Sequence, residues 1–174
     1  MTTNQEEEEA VERQVRIRVP AATVYEYWTD PEKMVLWQGM EATLEPRPGG
    51  IYRVNVTGRD ITLGEFLEVA PGERLVFTWG FDREGHPIPA GSTRVEIDFL
   101  VQGDLTVVRV RHHGIAKAER LNTAYGWQHY LTRLGLVTAG RDPGPDPWMA
   151  PPKPVVAPEP EGAEAPAAEP PAAT

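Results

Sequence analysis

The sequence predicts an α+β domain in which a curved antiparallel sheet closes on one long C-terminal helix. Three observations predict it. From Ala116 to Ala139, Leu121, Ala124, Trp127 or Gln128, Leu131, Leu134 and Val137 or Thr138 recur at three- and four-residue steps, lining one face of a helix about 36 Å long. Ahead of it, short segments alternate apolar and polar residues between Gly, Pro and Asp turns, the pattern of half-buried strands. Strands in sequence joined by tight turns pair antiparallel, and such a sheet curls through its own twist. A helix laid on the concave side leaves room for an apolar cavity.

Taken in order, Val11, Arg13, Val15, Ile17 and Val19 face one way and Glu12, Gln14, Arg16 and Arg18 the other, a strand with one wet side. Pro20 ends it and opens a short helix over Ala21 to Thr29. Asp30-Pro31-Glu32 then caps a second short helix, with Pro31 at its first position and Glu32 near the positive end of the dipole. Strands follow at Glu41 to Pro46, Ile51 to Val56, Ile61 to Val69 and Arg74 to Trp79, separated by turns such as Pro48-Gly49-Gly50 and Ala70-Pro71-Gly72. A long loop from Gly80 to Ser92 leads to Val95, Ile97 and Phe99 alternating with Arg94, Glu96 and Asp98. Gly103-Asp104 closes a hairpin onto Leu105 to His113, where Val108, Val110 and His112 oppose Arg109 and Arg111. No internal repeat appears, so the strands form a meander.

Composition marks where the domain stops. Past Gly140 the chain carries most of its 18 prolines among Ala and Glu, too little apolar surface to offset ordering entropy. The expected organisation is an acidic disordered stretch over residues 1–10, a folded domain over 11–140 and a disordered Pro/Ala/Glu-rich tail over 141–174. Partitioned this way, the net charge of -9 leaves only -1 on the domain, with -4 on each end. No basic face is evident, which argues against a nucleic-acid partner. With 0 cysteines, neither disulfides nor thiol chemistry is available. No apolar run reaches the ~20 residues of a membrane span and no signal peptide opens the chain, so a cytoplasmic protein, monomer or homodimer, is expected.

Several stretches carry a resemblance. Val24-Tyr25-Glu26-Tyr27-Trp28-Thr29-Asp30-Pro31-Glu32, Pro48-Gly49-Gly50-Ile51-Tyr52-Arg53, and the run from Gly64-Glu65-Phe66-Leu67-Glu68 to Phe77-Thr78-Trp79 fall in order along the chain. His112-His113-Gly114, Gly126-Trp127 and Tyr130-Leu131 follow. Together they resemble the START-like (SRPBCC) superfamily, and within it the family of activator of heat-shock protein 90 ATPase homologues. The resemblance implies a helix-grip fold, as in the birch-pollen-allergen-like proteins, and a hydrophobic cavity that elsewhere in the superfamily holds lipids, sterols, polyketides or plant hormones. Two departures stand out. Gln38 follows Trp37 where relatives often continue with a second Trp or a Gly, altering the cavity mouth. The co-chaperones' separate N-terminal chaperone-binding domain has no room here, which weakens a chaperone-stimulating role.

Inward strand positions and the helix face supply the candidate ligand-binding residues: Tyr52, Val54, Phe66, Phe77, Trp79, Val95, Ile97, Phe99, Trp127 and Leu131, with His112 as the polar member. The alternative for each is a dry packed core, and for Trp127 packing is expected, with Gly126 letting the helix approach the sheet. His112 points inward by strand parity, so it could bind ligand or act as a general base, with Tyr52 and Tyr125 as further proton carriers; a histidine satisfied by neighbouring groups is the plainer reading. His113 is expected to be solvated, and His86 and His129 lack partners at ligand spacing, so no metal site and no cofactor is expected. Arg53, Glu65, Arg94 and Arg111 are expected in outer-face ion pairs. The function expected first is binding of a small apolar or aromatic molecule. The alternatives are a cyclase, aromatase or hydrolase using the same cavity, and a protein-interaction or chaperone-regulating role.

Overall fold

The structure, a computed structural model, describes residues 10–149. Its elements are β1 (Val11–Ile17), α1 (Ala21–Thr29), α2 (Pro31–Met34), β2 (Glu41–Leu44), β3 (Ile51–Asn55), β4 (Ile61–Ala70), β5 (Arg74–Trp79), β6 (Thr93–Gln102), β7 (Leu105–His113), a 3-10 turn at Lys117–Glu119, and α3 (Arg120–Thr138). All seven strands form one curved antiparallel sheet in the order β1-β7-β6-β5-β4-β3-β2. The meander from β2 to β7 is read directly from the turns. The placement of β1 beside β7, with Val11 opposite His112 and Ile17 opposite Thr106, closes the far edge.

Local chemistry explains the boundaries. The Asp30 carboxylate accepts from the Glu32 backbone N–H at 2.9 Å, capping α2 with Pro31 in its first turn. That helix stops at Met34, and Trp37 donates its indole N–H to the Tyr27 carbonyl at 2.9 Å. Gly80 is required by a close approach, since a Cβ there would stand 1.7 Å from the Pro89 carbonyl oxygen. The loop over residues 80–92 is thereby folded back against the end of β5.

The 19 residues of α3 span about 28 Å. Ala124, Trp127, Tyr130, Leu131 and Leu134 are its buried face. Leu121, placed on that face by the sequence stripe, is instead 65% exposed. A Cβ at Gly135 would stand 3.4 Å from the Val15 side chain of β1, so the C-terminal half of α3 lies on the β1 edge of the sheet. Beneath it α1 buries Val24, Tyr25 and Trp28, and Tyr25 and Trp28 meet Phe99 edge-on with ring centroids 5.6 and 6.5 Å away. One end of the sheet's hollow is thus filled by α1.

The domain does not stop at Gly140 as composition suggested. Gly140, at φ 72°, ends α3 in the left-handed conformation, and the Arg141 N–H returns to the Leu136 carbonyl at 2.9 Å. Residues 141–149 then run back along the helix. Arg133 holds this strap through the carbonyls of Pro143 and Gly144 at 3.4 and 3.0 Å, and also reaches the Trp37 carbonyl at 3.1 Å. Asp146 accepts from the Tyr130 hydroxyl at 2.7 Å and sits 2.9 Å from His129 Nε2, while Trp148 stacks on His129 at 3.8 Å. His129 therefore has an acidic partner that sequence spacing did not reveal. The other end stretches, residues 1–9 and 150–174, lie outside the described residues.

The outer face of the sheet carries a compact charge network. Asp98 is 2.8 Å from Arg74, 3.0 Å from Arg109 and 3.1 Å from Arg111. Glu96 is 2.9 Å from Arg111 and 3.3 Å from both Arg94 and His113. His113 is therefore covered against Glu96 and not solvated as parity alone suggested. Burial pushes both carboxyls up, but the surrounding cations outweigh it and hold them below the usual carboxylate range. Asp98→Ala leaves Arg109 without its carboxylate while Arg74 and Arg111 keep Glu96, so it is expected to cost about 1–2 kcal/mol in a urea titration. A loss under about 0.5 kcal/mol, the range of an ordinary surface change, contradicts that account.

Candidate functional site

The strand alternation brings His112 inward at the end of β7, where α3 crosses it. The Trp127 indole N–H donates to His112 Nδ1 at 3.0 Å, so the imidazole carries its proton on Nε2. That Nε2–H donates to Thr93 Oγ1 at 2.8 Å, and the Thr93 hydroxyl donates to the Trp79 carbonyl at 2.7 Å. Both imidazole nitrogens, the Trp127 indole N–H and the Thr93 hydroxyl are used in this run. His112 is fully buried, and burial first, then the neighbouring His113, lowers its pKa from the ordinary 6.5 to about 3. An imidazole this reluctant to protonate, with both nitrogens engaged, is a structural tie and not a general base.

The other proposed proton carriers do not join it. Tyr52 lies stacked on Phe77 with centroids 4.0 Å apart; its hydroxyl is buried without a partner among the described residues, and burial raises its pKa. Tyr125 is 62% exposed on the outer side of α3, because it falls between the buried positions Ala124 and Trp127. Val54, Phe66, Phe77, Val95, Ile97, Phe99 and Leu131 belong to the packed core.

A cavity of about 300 Å³ nevertheless lies between sheet and helix, at the end that α1 leaves open. Of the candidate residues only Trp79 and Trp127 line it. The rest of the wall comes from places that strand parity does not reach: Val56, Thr57 and Asp60 in the turn after β3, Thr62 at the start of β4, and Phe81, His86 and Ile88 from the 80–92 loop. The helix side contributes Glu119, Asn122, Thr123, Gly126 and Tyr130; Gln38 enters from the segment after α2 and Trp148 from the strap. Phe81 and Ile88, two large apolar residues in an otherwise polar loop, were the available signal for this wall. Gly126 does not bring helix and sheet together as expected: a Cβ there would meet nothing within 4 Å, so it faces the open space.

The polar groups of the cavity divide into satisfied and unsatisfied ones. Burial raises the pKa of the Tyr130 hydroxyl, and its bond to Asp146 raises it further. His86 Nδ1 accepts the Ile88 backbone N–H at 3.0 Å, and burial, then Arg83, keeps the ring below the usual histidine pKa. Of the lining residues, Gln38 and Trp79 each hold a buried atom with no partner among the described residues, the side-chain oxygen and the indole nitrogen, as Trp28 and Tyr52 do in the packed core. Among the described residues no group of three or more His, Cys, Asp or Glu could hold a metal.

Residues 18–138 match the family described as Activator of Hsp90 ATPase homolog 1-like protein. The chain belongs to this family. It is similar to an AHSA1-like protein from Rhizobium etli known by solution NMR, at 46% identity over 82% of this chain and 89% of that one, with a TM-score of 0.64. It is also similar to CalU16 from Micromonospora echinospora, at 26% identity over 80% of this chain and 78% of that one, TM-score 0.63. DynU16, a protein in the dynemicin biosynthetic locus, shares the fold at 23% identity and TM-score 0.67; the two align over 77% of this chain, which spans about half of DynU16's length at 49%. No curated protein matches the sequence. The helix-grip architecture of the AHSA1-like family is thus the architecture seen here, and no described helix is long and apolar enough to cross a membrane.

The tie at His112 has a pH consequence. Below pH 6.5 the unfolded chain takes up a proton that the folded chain refuses down to about pH 3. Stability is therefore full above pH 6.5 and falls as pH drops, by up to about 1.4 kcal/mol per pH unit. His112→Gln keeps an acceptor and a donor but cannot titrate, so its stability curve is expected to be flatter by about that slope between pH 6 and 4.5. Parallel curves for the two proteins in denaturant titrations contradict the assignment.

Proposed function

We propose that this protein binds a small, largely apolar or aromatic molecule in the cavity between the sheet and the N-terminal half of α3. The observation that carries the reading is the cavity itself. Its volume of about 300 Å³ stands at the lower end of small-molecule sites. Trp79, Phe81, Ile88 and Trp127 give it an apolar wall, with a few polar groups placed among them. Binding without catalysis is favoured because His112, Tyr52 and Tyr125 do not meet at a common substrate position. Should the site also carry out a cyclase- or hydrolase-like reaction, the groups available are His86, Asp60 and Glu119, which line the same cavity.

The chaperone role named in the family description is the weaker reading, since the cavity supplies a function of its own. A cytoplasmic protein acting on a diffusible small molecule fits the family domain.

The test uses N-phenyl-1-naphthylamine, a neutral probe whose emission rises in apolar surroundings. The full chain is expected to take up one probe per chain. Gly126→Phe, which projects a ring into open space, is expected to unfold cooperatively as the wild type does while binding the probe at least about tenfold more weakly. Equal uptake by both proteins, or none by the wild type, contradicts the proposal.

A further inference from the structure

The cavity lies under α3, and a ligand has to reach it past one of its walls. Most of those walls are fastened firmly. The 80–92 loop is tied to β4 by backbone bonds: Leu63 N–H to the Gly80 carbonyl at 2.9 Å, Asp82 N–H to the Ile61 carbonyl at 2.7 Å and Gly91 N–H to the Leu63 carbonyl at 3.0 Å. On the helix side, Trp127 is held by its buried bond to His112. The strap over residues 141–149 is fastened differently. Pro143, Pro145 and Pro147 remove every second backbone donor, so it cannot pair along its length as a strand does. Past the bond from the Arg141 N–H to Leu136, no backbone–backbone bond among the described residues joins it to helix or sheet. What holds it is side chains standing on one short stretch of α3: His129, Tyr130 and Arg133.

Asp146 carries most of that fastening. Its side chain is 1% exposed; Oδ2 accepts the Tyr130 hydroxyl at 2.7 Å, and Oδ1 takes both His129 Nε2–H at 2.9 Å and the Trp148 backbone N–H at 3.0 Å. Burial pushes the carboxyl up, but the Trp148 N–H, Tyr130 and His129 outweigh it and hold it below the usual carboxylate range, so the latch is a charged one. One group thus fixes strap to helix and also sets the turn that presents Trp148. The Trp148 ring stacks on His129 and lines the cavity beside Tyr130, yet it is 43% exposed. A ring already partly in solvent gives up little apolar burial when it swings out. This part of the wall is therefore closed by a few side-chain bonds that break and remake together.

We propose that the strap is the gate of the cavity: it swings out from α3 when Asp146 releases Tyr130 and His129, a ligand passes where Trp148 stood, and the strap closes over it. This rests on the cavity being the binding site, and the experiment separates the two claims by reading rates apart from affinity. Asp146 does not line the cavity, so Asp146→Ala weakens the latch and leaves the lining residues in place. Tyr130→Phe removes one latch bond and keeps the ring in the wall. N-phenyl-1-naphthylamine is mixed with the full chain by stopped flow, and its equilibrium binding is titrated alongside, for the wild type and both variants. Cooperative urea unfolding checks that each variant is folded.

In the wild type the observed association rate is expected to level off as probe concentration rises, at the rate of opening. Asp146→Ala is expected to raise the association and dissociation rates together by about tenfold while Kd changes by less than about threefold, because the closed strap is weakened in the free and the loaded protein alike. Tyr130→Phe, which loses one of the three bonds to the carboxylate, is expected to raise the association rate by about threefold. If Asp146→Ala raises the dissociation rate alone, the strap is a fixed wall; if both variants keep wild-type rates, entry lies elsewhere. Either result overturns the gate and leaves the cavity standing. Should Asp146→Ala not fold, an unchanged association rate in Tyr130→Phe overturns it by itself. If the wild type takes up no probe at equilibrium, the cavity reading fails and the gate fails with it.

Discussion

One run of hydrogen bonds, from the Trp127 indole through His112 and Thr93 to the Trp79 carbonyl, sets where the long helix lies on the sheet. It joins α3, β7, β6 and β5 in a single line, and each donor and acceptor has one partner. Apolar packing would allow the helix to slide or roll by a fraction of a turn; a buried directional chain does not, because any displacement leaves an indole, an imidazole or a hydroxyl unpaired. Trp127 also stacks with Trp28 at 6.1 Å, so α1 is registered to the same point. From there α3 continues toward the β1 edge in one direction and over the cavity in the other.

This explains why the hollow is filled at one end only. Tyr25, Trp28 and Phe99 occupy the space beneath the middle of the helix, and Tyr52, Phe66 and Phe77 pack on one another along β3, β4 and β5. Beyond Trp79 the strands end, and the remaining wall is built from turns and the 80–92 loop. The strap over residues 141–149 closes the helix side, with Trp148 in the wall and Asp146 fixing the Tyr130 hydroxyl. The opposite face of the sheet needs no second layer, because Glu96 and Asp98 draw four arginine side chains flat across it.

The fold was legible because period-two alternation, turn residues and a three-four helical stripe are local signals, and they report which face a side chain takes. They do not report how far along that face the packing continues. Tyr52 and Val56 share a face by parity, yet Tyr52 lies in the core, packed by Phe66 and Phe77, and Val56 lies in the cavity wall. Leu121 was misplaced by phase: its own turn puts Asn122 and Thr123 on the cavity, while Leu121 shares the exposed side of the helix with Tyr125 four residues on. The strap was missed for a different reason: average composition over a Pro-rich segment hides one aspartate and one tryptophan whose partners, Tyr130 and His129, lie 16 and 19 residues away. The burial of the Gln38 side-chain oxygen without a partner among the described residues likewise has no signal in the local sequence.

Stability alone gives no reason for the cavity to stay open. Gly126 sits in the interior of α3, where glycine costs about 0.8–1 kcal/mol relative to alanine, and nothing within 4 Å would obstruct a Cβ. The Gln38 and Trp79 polar atoms each add a desolvation cost of roughly 1–3 kcal/mol while unpaired. A larger side chain on the helix and an apolar one at 38 would relieve these penalties within the same fold. Three departures from the most stable choice thus fall on the wall of one cavity, while the core beside it is closely packed. Unpaired buried polar atoms also occur in the packed core, at Trp28 and Tyr52, so what marks the cavity is the glycine in the helix interior, which leaves open space where any side chain would fit.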